Sequence, residues 1–219
     1  MQFGARILRQ AGPRVALSLV ALLALPQIAA GQGGLRLLPQ VGLYTPLTDL
    51  TEVTDGGENL FEAGKKSSTV GLGLALELGS LRAQVNYATA SDVPISGVGC
   101  ESCDARSTLL TATVGLVLHP LPRILFFRPN LLVGAGVKRY DFDPGQLTDD
   151  GDWSSVLEDQ TRFAGQLGVG LEFDLLGLEP QLELSAYLSR FEPGEGPEGA
   201  EESDLQTDLF LMLAIPLGG

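Results

Sequence analysis

The sequence predicts an all-β protein: an eight-stranded antiparallel up-and-down transmembrane β-barrel preceded by a signal peptide. Three observations predict this fold. Segments of about ten residues alternate apolar and polar side chains, the connections between them alternate long and short, and the N-terminus resembles an export signal. Tilted strands of that length cross a bilayer, and the wall of a membrane barrel is apolar outside and polar inside.

Residues 1–31 are expected to be the signal peptide and residues 32–219 the barrel domain. Arg6, Arg9 and Arg14 precede an uncharged apolar stretch at 15–25, and small residues follow at 29–31. This order is typical of a cleaved signal. The alternative is an N-terminal membrane anchor, but the apolar run is about half of the roughly 20 residues that a spanning helix needs. An exported chain rich in amphipathic strands is expected in the bacterial outer membrane.

Charge and composition exclude other classes. The formal net charge of −13 becomes −16 once the three signal arginines are removed. Such an acidic chain repels nucleic acid, so no nucleic-acid partner is expected. An apolar content of 44% excludes a disordered acidic chain.

The clearest strand is predicted at residues 68–78. Its apolar side chains occupy every second position, and small or polar residues occupy the positions between them, with Glu77 near the end. This is strand periodicity, not helix periodicity. The apolar face consists of Val70, Leu72, Leu74, Leu76 and Leu78.

Seven further membrane-spanning strands are predicted from the same alternation. They cover 35–44, 81–91, 108–118, 124–140, 163–175, 181–189 and 205–217. Long polar loops are expected at 45–67, 92–107, 141–160 and 192–204, and short turns at 79–80, 119–123 and 176–179. Long outside loops and short periplasmic turns are typical of outer-membrane barrels. Pro129 cannot donate to a ladder, so a bulge or a strand start near Asn130 is predicted.

The sequences of two predicted strands resemble those of a known family. Residues 128–137, RPNLLVGAGV, resemble the Pro-aromatic-x-x-Gly-x-Gly strand of small eight-stranded barrels of the OmpA, OmpW and opacity-protein type, and residues 166–173, QLGVGLEF, resemble the next strand. The resemblance implies insertion by the barrel-assembly machinery, contact with outer-membrane lipid and lipopolysaccharide, and a monomer. Two positions depart from the family pattern. Asn130 replaces the usual aromatic, and the chain ends IPLGG where an aromatic is usual, with Phe210 the nearest one.

Catalytic and metal-binding chemistry is not expected. His119 lies in a predicted periplasmic turn, whereas barrel enzymes that act on lipid A place a histidine near the outer rim, so it is interpreted as a turn residue. The acidic run 149–152 lacks the ligand spacing of an EF-hand and is interpreted as solvated loop. The protein is therefore predicted not to be an enzyme and to hold no cofactor or metal.

Cys100 and Cys103 are the only cysteines. They could form half of a zinc site, a redox motif or a disulfide. A zinc site would need a second ligand pair, and the redox motif needs a helix in a βαβ unit. In an oxidising compartment the pair is predicted to form a disulfide.

Six charged residues are predicted to form a network in the lumen, where an unpaired buried charge would be costly. They are Glu77, Arg82, Arg128, Glu172, Asp174 and Glu183. Small inward residues opposite large ones predict a filled interior without a continuous water path.

Three functions remain open from sequence alone. The leading hypothesis is a barrel with acidic extracellular loops and a structural or surface-interaction role without catalysis. The alternative is a narrow OmpW-like channel for small hydrophobic molecules. A soluble periplasmic lipid-binding barrel is third, because its apolar side would have to face inward.

Overall fold

The computed structural model describes residues 34–55, 58–63, 67–97, 100–143, 159–175, 178–190 and 205–217, without the side chains at 51–62, 90–91 and 96–104. The predicted signal peptide and the loop at 192–204 lie outside these residues. The described residues form ten strands: β1 (Leu35–Pro46), β2 (Thr51–Asp55), β3 (Glu58–Ala63), β4 (Thr69–Leu78), β5 (Leu81–Gly97), β6 (Cys100–Leu118), β7 (Phe127–Asp143), β8 (Gln160–Phe173), β9 (Gln181–Arg190) and β10 (Leu205–Ala214).

Eight of these strands close into a barrel. The ring runs β1-β4-β5-β6-β7-β8-β9-β10 and returns to β1, with every neighbouring pair antiparallel. β1 and β10 close it through seven consecutive residue pairs, from Gln40 with Ala214 to Pro46 with Asp208. The predicted eight-stranded antiparallel barrel is therefore confirmed.

The two faces of the wall follow the period-two pattern of the sequence. Along β4, Val70, Leu72 and Leu74 are about half exposed, whereas Ala75 and Glu77 point inward and are buried. The same outward apolar row continues around the ring on all eight barrel strands. Because these side chains face away from the interior, the apolar surface of the barrel is its outside and the polar surface its lumen.

The end of the barrel that carries the long loops is here termed the long-loop end. The prediction that its connections are loops without strands was wrong. The segment 45–67 contains the β2–β3 hairpin, and residues 92–97 and 100–107, predicted as loop, belong to β5 and β6. β3 pairs with β5 beyond the barrel wall, from Phe61 opposite Gly97 to Ala63 opposite Ile95. Polar residues on both faces are compatible with a strand outside a bilayer, so the loss of apolar alternation there did not mean the loss of strand structure.

The opposite end, termed the short-turn end, has the predicted turn at 79–80, whereas the connection predicted at 119–123 extends to residue 126, and residues 176–177 of the third predicted turn lie outside the described part of the chain. Gly79 has a φ of 59°, a left-handed conformation that glycine adopts without strain, and it closes the β4–β5 hairpin with Ser80. The prediction of a bulge or a strand start near Asn130 was wrong, because β7 begins at Phe127 and Pro129 pairs in register with Leu171. β6 ends opposite Leu131, so Pro129 has a paired strand on one side only.

Candidate functional site

Among the described residues, the barrel interior contains two clusters built around a buried cation, one near each end. The first is the short-turn cluster, defined as Glu77, Arg82, Gln181 and Glu183. Arg82 Nε donates to Glu77 Oε1 at 2.9 Å, and its Nη2 donates to Gln181 Oε1 at 2.9 Å. A terminal nitrogen also forms an ion pair with Glu183. The Arg82 side chain is 1% exposed, so its charge is compensated by carboxylates rather than by bulk water.

The strand register explains how the short-turn cluster forms. Glu77 and Arg82 are directly opposite each other across the β4–β5 hairpin, two pairs from the turn at Gly79. Glu183 comes from β9, on another side of the lumen, and Arg82 reaches it across the interior. The side chain of arginine therefore joins two distant walls of the barrel.

A chain of ion pairs continues from this cluster to the rim. Arg36 Nη1 lies 3.5 Å from Glu77 Oε2, and Arg36 Nη2 lies 3.0 Å from Glu179 Oε2. Arg123 then contacts Glu179 Oε1 at 3.2 Å and Asp174 Oδ2 at 2.6 Å. Asp174 is exposed just after β8, so it is part of this rim and not of the lumen network where sequence reasoning placed it.

Arg128 and Glu172 are brought close but do not pair. They are opposite each other in the β7–β8 register, yet Arg128 forms no ion pair within the described part of the chain. The buried Glu172 carboxylate instead lies 3.0 Å from His119 Nε2. Of the six residues expected in the lumen network, the structure thus brings Glu77, Arg82 and Glu183 into one cluster.

The long-loop cluster was missed by sequence reasoning. It is defined as Tyr44, Lys138, Tyr140 and Asp208. Lys138 Nζ lies 2.6 Å from Asp208 Oδ2, which also accepts from the Tyr140 hydroxyl at 2.8 Å, while Tyr44 donates to Asp208 Oδ1 at 2.6 Å. All four residues are buried. The alternation in β7 and β10 places Lys138 and Asp208 on inward faces. Nothing in the local sequence, however, predicts a contact between two residues 70 positions apart.

A layer of uncharged polar side chains lies between the two clusters. Asn86 and Gln166 both donate to the Tyr187 hydroxyl, at 2.6 and 2.9 Å. Ser185 donates to Glu183 at 2.7 Å and connects this layer to the short-turn cluster. Gln40 Nε2 and Gln84 Oε1 are buried without a partner in the described part of the chain, so we expect water to satisfy them.

Apolar side chains pack around the long-loop cluster. Leu109, Tyr140 and Phe210 belong to one buried group that extends to Val93 and Ile95, where β5 continues beyond the barrel. Phe210, the aromatic nearest the C-terminus, is fully buried in this group and packs on Tyr44 and Tyr187. At the long-loop end the lumen thus holds buried apolar side chains as well as its charged cluster.

Several predicted features lie outside what the structure describes. The side chains of Cys100 and Cys103 are among them, so their disulfide stays a prediction. The acidic residues 149–152 also lie outside the described part, and their interpretation as solvated loop stays a prediction. Among the described residues, no group of three or more histidine, cysteine or acidic side chains could hold a metal ion. In the same part of the chain, no helical segment combines the length and the apolar character needed to cross a bilayer.

Small outer-membrane barrels are among the solved structures that resemble this chain. OprG from Pseudomonas aeruginosa is 16% identical with a TM-score of 0.50, and the alignment covers 85% of this chain and 94% of OprG. The Neisserial surface protein A is 10% identical (85% and 99% covered, TM-score 0.45), and the outer membrane protein W of E. coli is 18% identical (83% and 96%, TM-score 0.42). No protein-family model and no curated protein matches the sequence.

These findings define a class of protein. The closed ring of eight strands, the apolar outside and the charged lumen are those of a small outer-membrane-type β-barrel. The likeness to OprG supports the same fold. The fold resemblance predicted from residues 128–137 and 166–173 is confirmed, and both segments lie on the paired strands β7 and β8.

Proposed function

We propose that this protein is an integral outer-membrane barrel whose lumen is closed by its own side chains, and that it has a structural or surface-interaction role without catalysis. The observation that supports the proposal is the pair of buried charged clusters, one in each half of an eight-stranded interior. Eight strands enclose a space just wide enough for side chains. Barrels of this size conduct only where that filling is interrupted.

Orientation follows from the proposal. The long-loop end lies outside the cell and the short turns face the periplasm, as is usual for outer-membrane barrels. The long connections are rich in aspartate and glutamate, so the exposed end is acidic and favours cationic partners. The apolar wall surrounds the ring on all eight strands, which supports a monomer that contacts outer-membrane lipid and lipopolysaccharide after insertion by the barrel-assembly machinery.

The first experiment tests the membrane location. The mature protein is expected to fractionate with outer membranes and to migrate differently on gels with and without boiling, because a closed hydrogen-bonded barrel resists unfolding by detergent. Recovery from the periplasm as a soluble monomer without detergent would contradict the proposal.

The second experiment tests whether the lumen is closed. Liposomes that contain the purified protein are assayed for uptake of small polar solutes and of a small hydrophobic solute. The proposal predicts that neither solute enters these liposomes faster than it enters protein-free liposomes.

A narrow channel for small hydrophobic molecules is the second candidate function. The buried apolar group around Leu109, Tyr140 and Phe210 favours it, because this group faces the lumen at the long-loop end. Uptake of the hydrophobic solute alone in the same liposome assay would support this candidate over the closed barrel.

A further inference from the structure

The turns that connect β6 to β7 and β8 to β9 expose large apolar side chains at the short-turn end. We define the turn patch as Leu121, Ile124, Leu125, Phe126, Leu175 and Leu178, all of which are exposed. Leu125 is the most exposed of them, at 85%. Single exposed apolar residues are ordinary on a protein surface, but a contiguous group indicates an interaction site.

The two turns are held side by side by direct bonds. The backbone N–H of Asp174 donates to the carbonyl of Phe126 at 2.8 Å. Arg123 in the first turn forms ion pairs with Asp174 and Glu179, which flank the second turn. The turn patch is therefore one surface built from two connections, and the charged groups beside it compensate one another.

The β6–β7 turn has an apolar residue at a position where turns normally have glycine or asparagine. Ile124 and Phe127 bridge a tight turn in which Leu125 has a φ of 56°. Bulky residues rarely adopt this left-handed conformation. The turn thus projects a leucine at a position where glycine would be free of strain.

The turn patch continues the apolar outside of the barrel. Phe127 and Phe173 form a pair at the end of the β7–β8 ladder. The outward row of β8 from Phe163 to Phe173 spans ten residue steps, which at about 3.4 Å per residue and a tilt of about 40° corresponds to roughly 26 Å along the membrane normal. The hydrocarbon band of such barrels is about 25 Å tall, so the turn patch lies just beyond its edge, at the level of the headgroups.

The β4–β5 side of the barrel differs. The outward row of β4 from Val70 to Leu78 spans eight residue steps, or roughly 21 Å along the normal by the same geometry. It ends at Gly79 and Ser80, a two-residue turn without an apolar side chain. The apolar surface is therefore taller on the β7–β8 side than on the β4–β5 side.

We propose that the turn patch is a lipid-binding surface, which inserts into the boundary between headgroups and acyl chains of the periplasmic leaflet and anchors the β7–β8 side of the barrel. The inference rests on the proposed membrane location. Its occupant is phospholipid rather than a protein, because the patch is continuous with the wall that faces lipid and its flanking charges are already paired.

Depth-resolved fluorescence tests the proposal. The only tryptophan is removed by Trp153→Phe, and single tryptophans are introduced by Phe126→Trp or Leu178→Trp in the turn patch, with Ser80→Trp as the matched control in the other turn. Each variant is refolded into phosphatidylcholine liposomes, with or without lipids brominated on the acyl chains. We expect blue-shifted emission and at least twofold stronger quenching by brominated lipid for the two turn-patch variants than for Ser80→Trp.

A fourth variant separates failure of this inference from failure of the proposed function. Val85→Trp places the probe on the outward face of β5. If Val85→Trp is quenched by brominated lipid while Phe126→Trp and Leu178→Trp are as accessible to aqueous iodide as Ser80→Trp, the barrel is in the bilayer and the turn-patch proposal is wrong. If Val85→Trp is not quenched either, the membrane location itself fails. Protection from both quenchers that increases with protein-to-lipid ratio would indicate a second copy as the occupant and would overturn the proposal.

Discussion

The two charged clusters of the lumen neutralise their buried cations in different ways. In the short-turn cluster one guanidinium contacts two carboxylates, Glu77 and Glu183. In the long-loop cluster one ammonium contacts one carboxylate, Asp208, which also accepts hydrogen bonds from two tyrosine hydroxyls. The first cluster therefore depends on its cation for charge balance, whereas the second has neutral donors that partly replace it.

The largest effect is expected from Arg82→Met, because it leaves two buried carboxylates without their shared cation. Breaking a buried ion pair from one side typically costs about 3–5 kcal/mol. Arg36 lies 3.5 Å from Glu77 and compensates it in part, so Glu183 is the more affected carboxylate. Urea unfolding in liposomes, followed by the gel shift, measures the loss.

Two variants control for this result. Arg128→Met removes an arginine that forms no ion pair in the described part of the structure, so its unfolding midpoint should stay near that of the wild type. Adding Glu183→Gln to Arg82→Met should recover part of the lost stability. Equal destabilisation by Arg82→Met and Arg128→Met would show that the short-turn cluster has no special role.

A smaller loss is expected from Lys138→Met. Asp208 keeps the hydroxyls of Tyr44 and Tyr140 as donors, so we expect about 3 kcal/mol, the lower end of the range for a broken buried pair. The same unfolding assay gives the value. The difference between the clusters would be refuted if Lys138→Met destabilised the barrel more than Arg82→Met.

Removal of one tyrosine hydroxyl should lower the free energy of unfolding by less than Lys138→Met does. Tyr140→Phe deletes a 2.8 Å hydrogen bond to Asp208 and keeps the ring that packs in the apolar group. A hydrogen bond to a charged group is worth about 1.5–3 kcal/mol, and we expect the lower value because Tyr44 and Lys138 still donate to Asp208. In the Lys138→Met background the same substitution should cost more, which a double-mutant cycle measures.

The smallest effect concerns the layer between the clusters. A Cβ at Gly168 would lie 2.7 Å from Ser185 Oγ, whereas a Cβ at Gly165 would meet no atom within 4 Å. Gly168→Ala should therefore cost about 1 kcal/mol by overpacking, and Gly165→Ala should be neutral or slightly stabilising. Equal unfolding midpoints for the two variants would show that the middle layer has spare room.

The sequence predicts the barrel wall well because its signal is local. Alternation at period two shows which side chains of β4 or β8 face outward, and the hairpin turn at Gly79 brings Glu77 and Arg82 together. The pairing of Lys138 with Asp208 depends on how the ring of strands closes, which no short segment encodes. The β2–β3 hairpin and the distal part of β5 were missed for another reason: outside a bilayer a strand needs no continuous apolar face.

Planar-bilayer recording tests the central claim, that the charged clusters close the lumen, most directly. Purified wild-type protein, Arg82→Ala, Lys138→Ala and the double variant are compared in the same membrane. We predict no single-channel steps from the wild type, and reproducible steps from the double variant, because both closures lie in series along one narrow lumen. Stable steps from the wild type, or a double variant that stays as silent as the wild type, would contradict the claim.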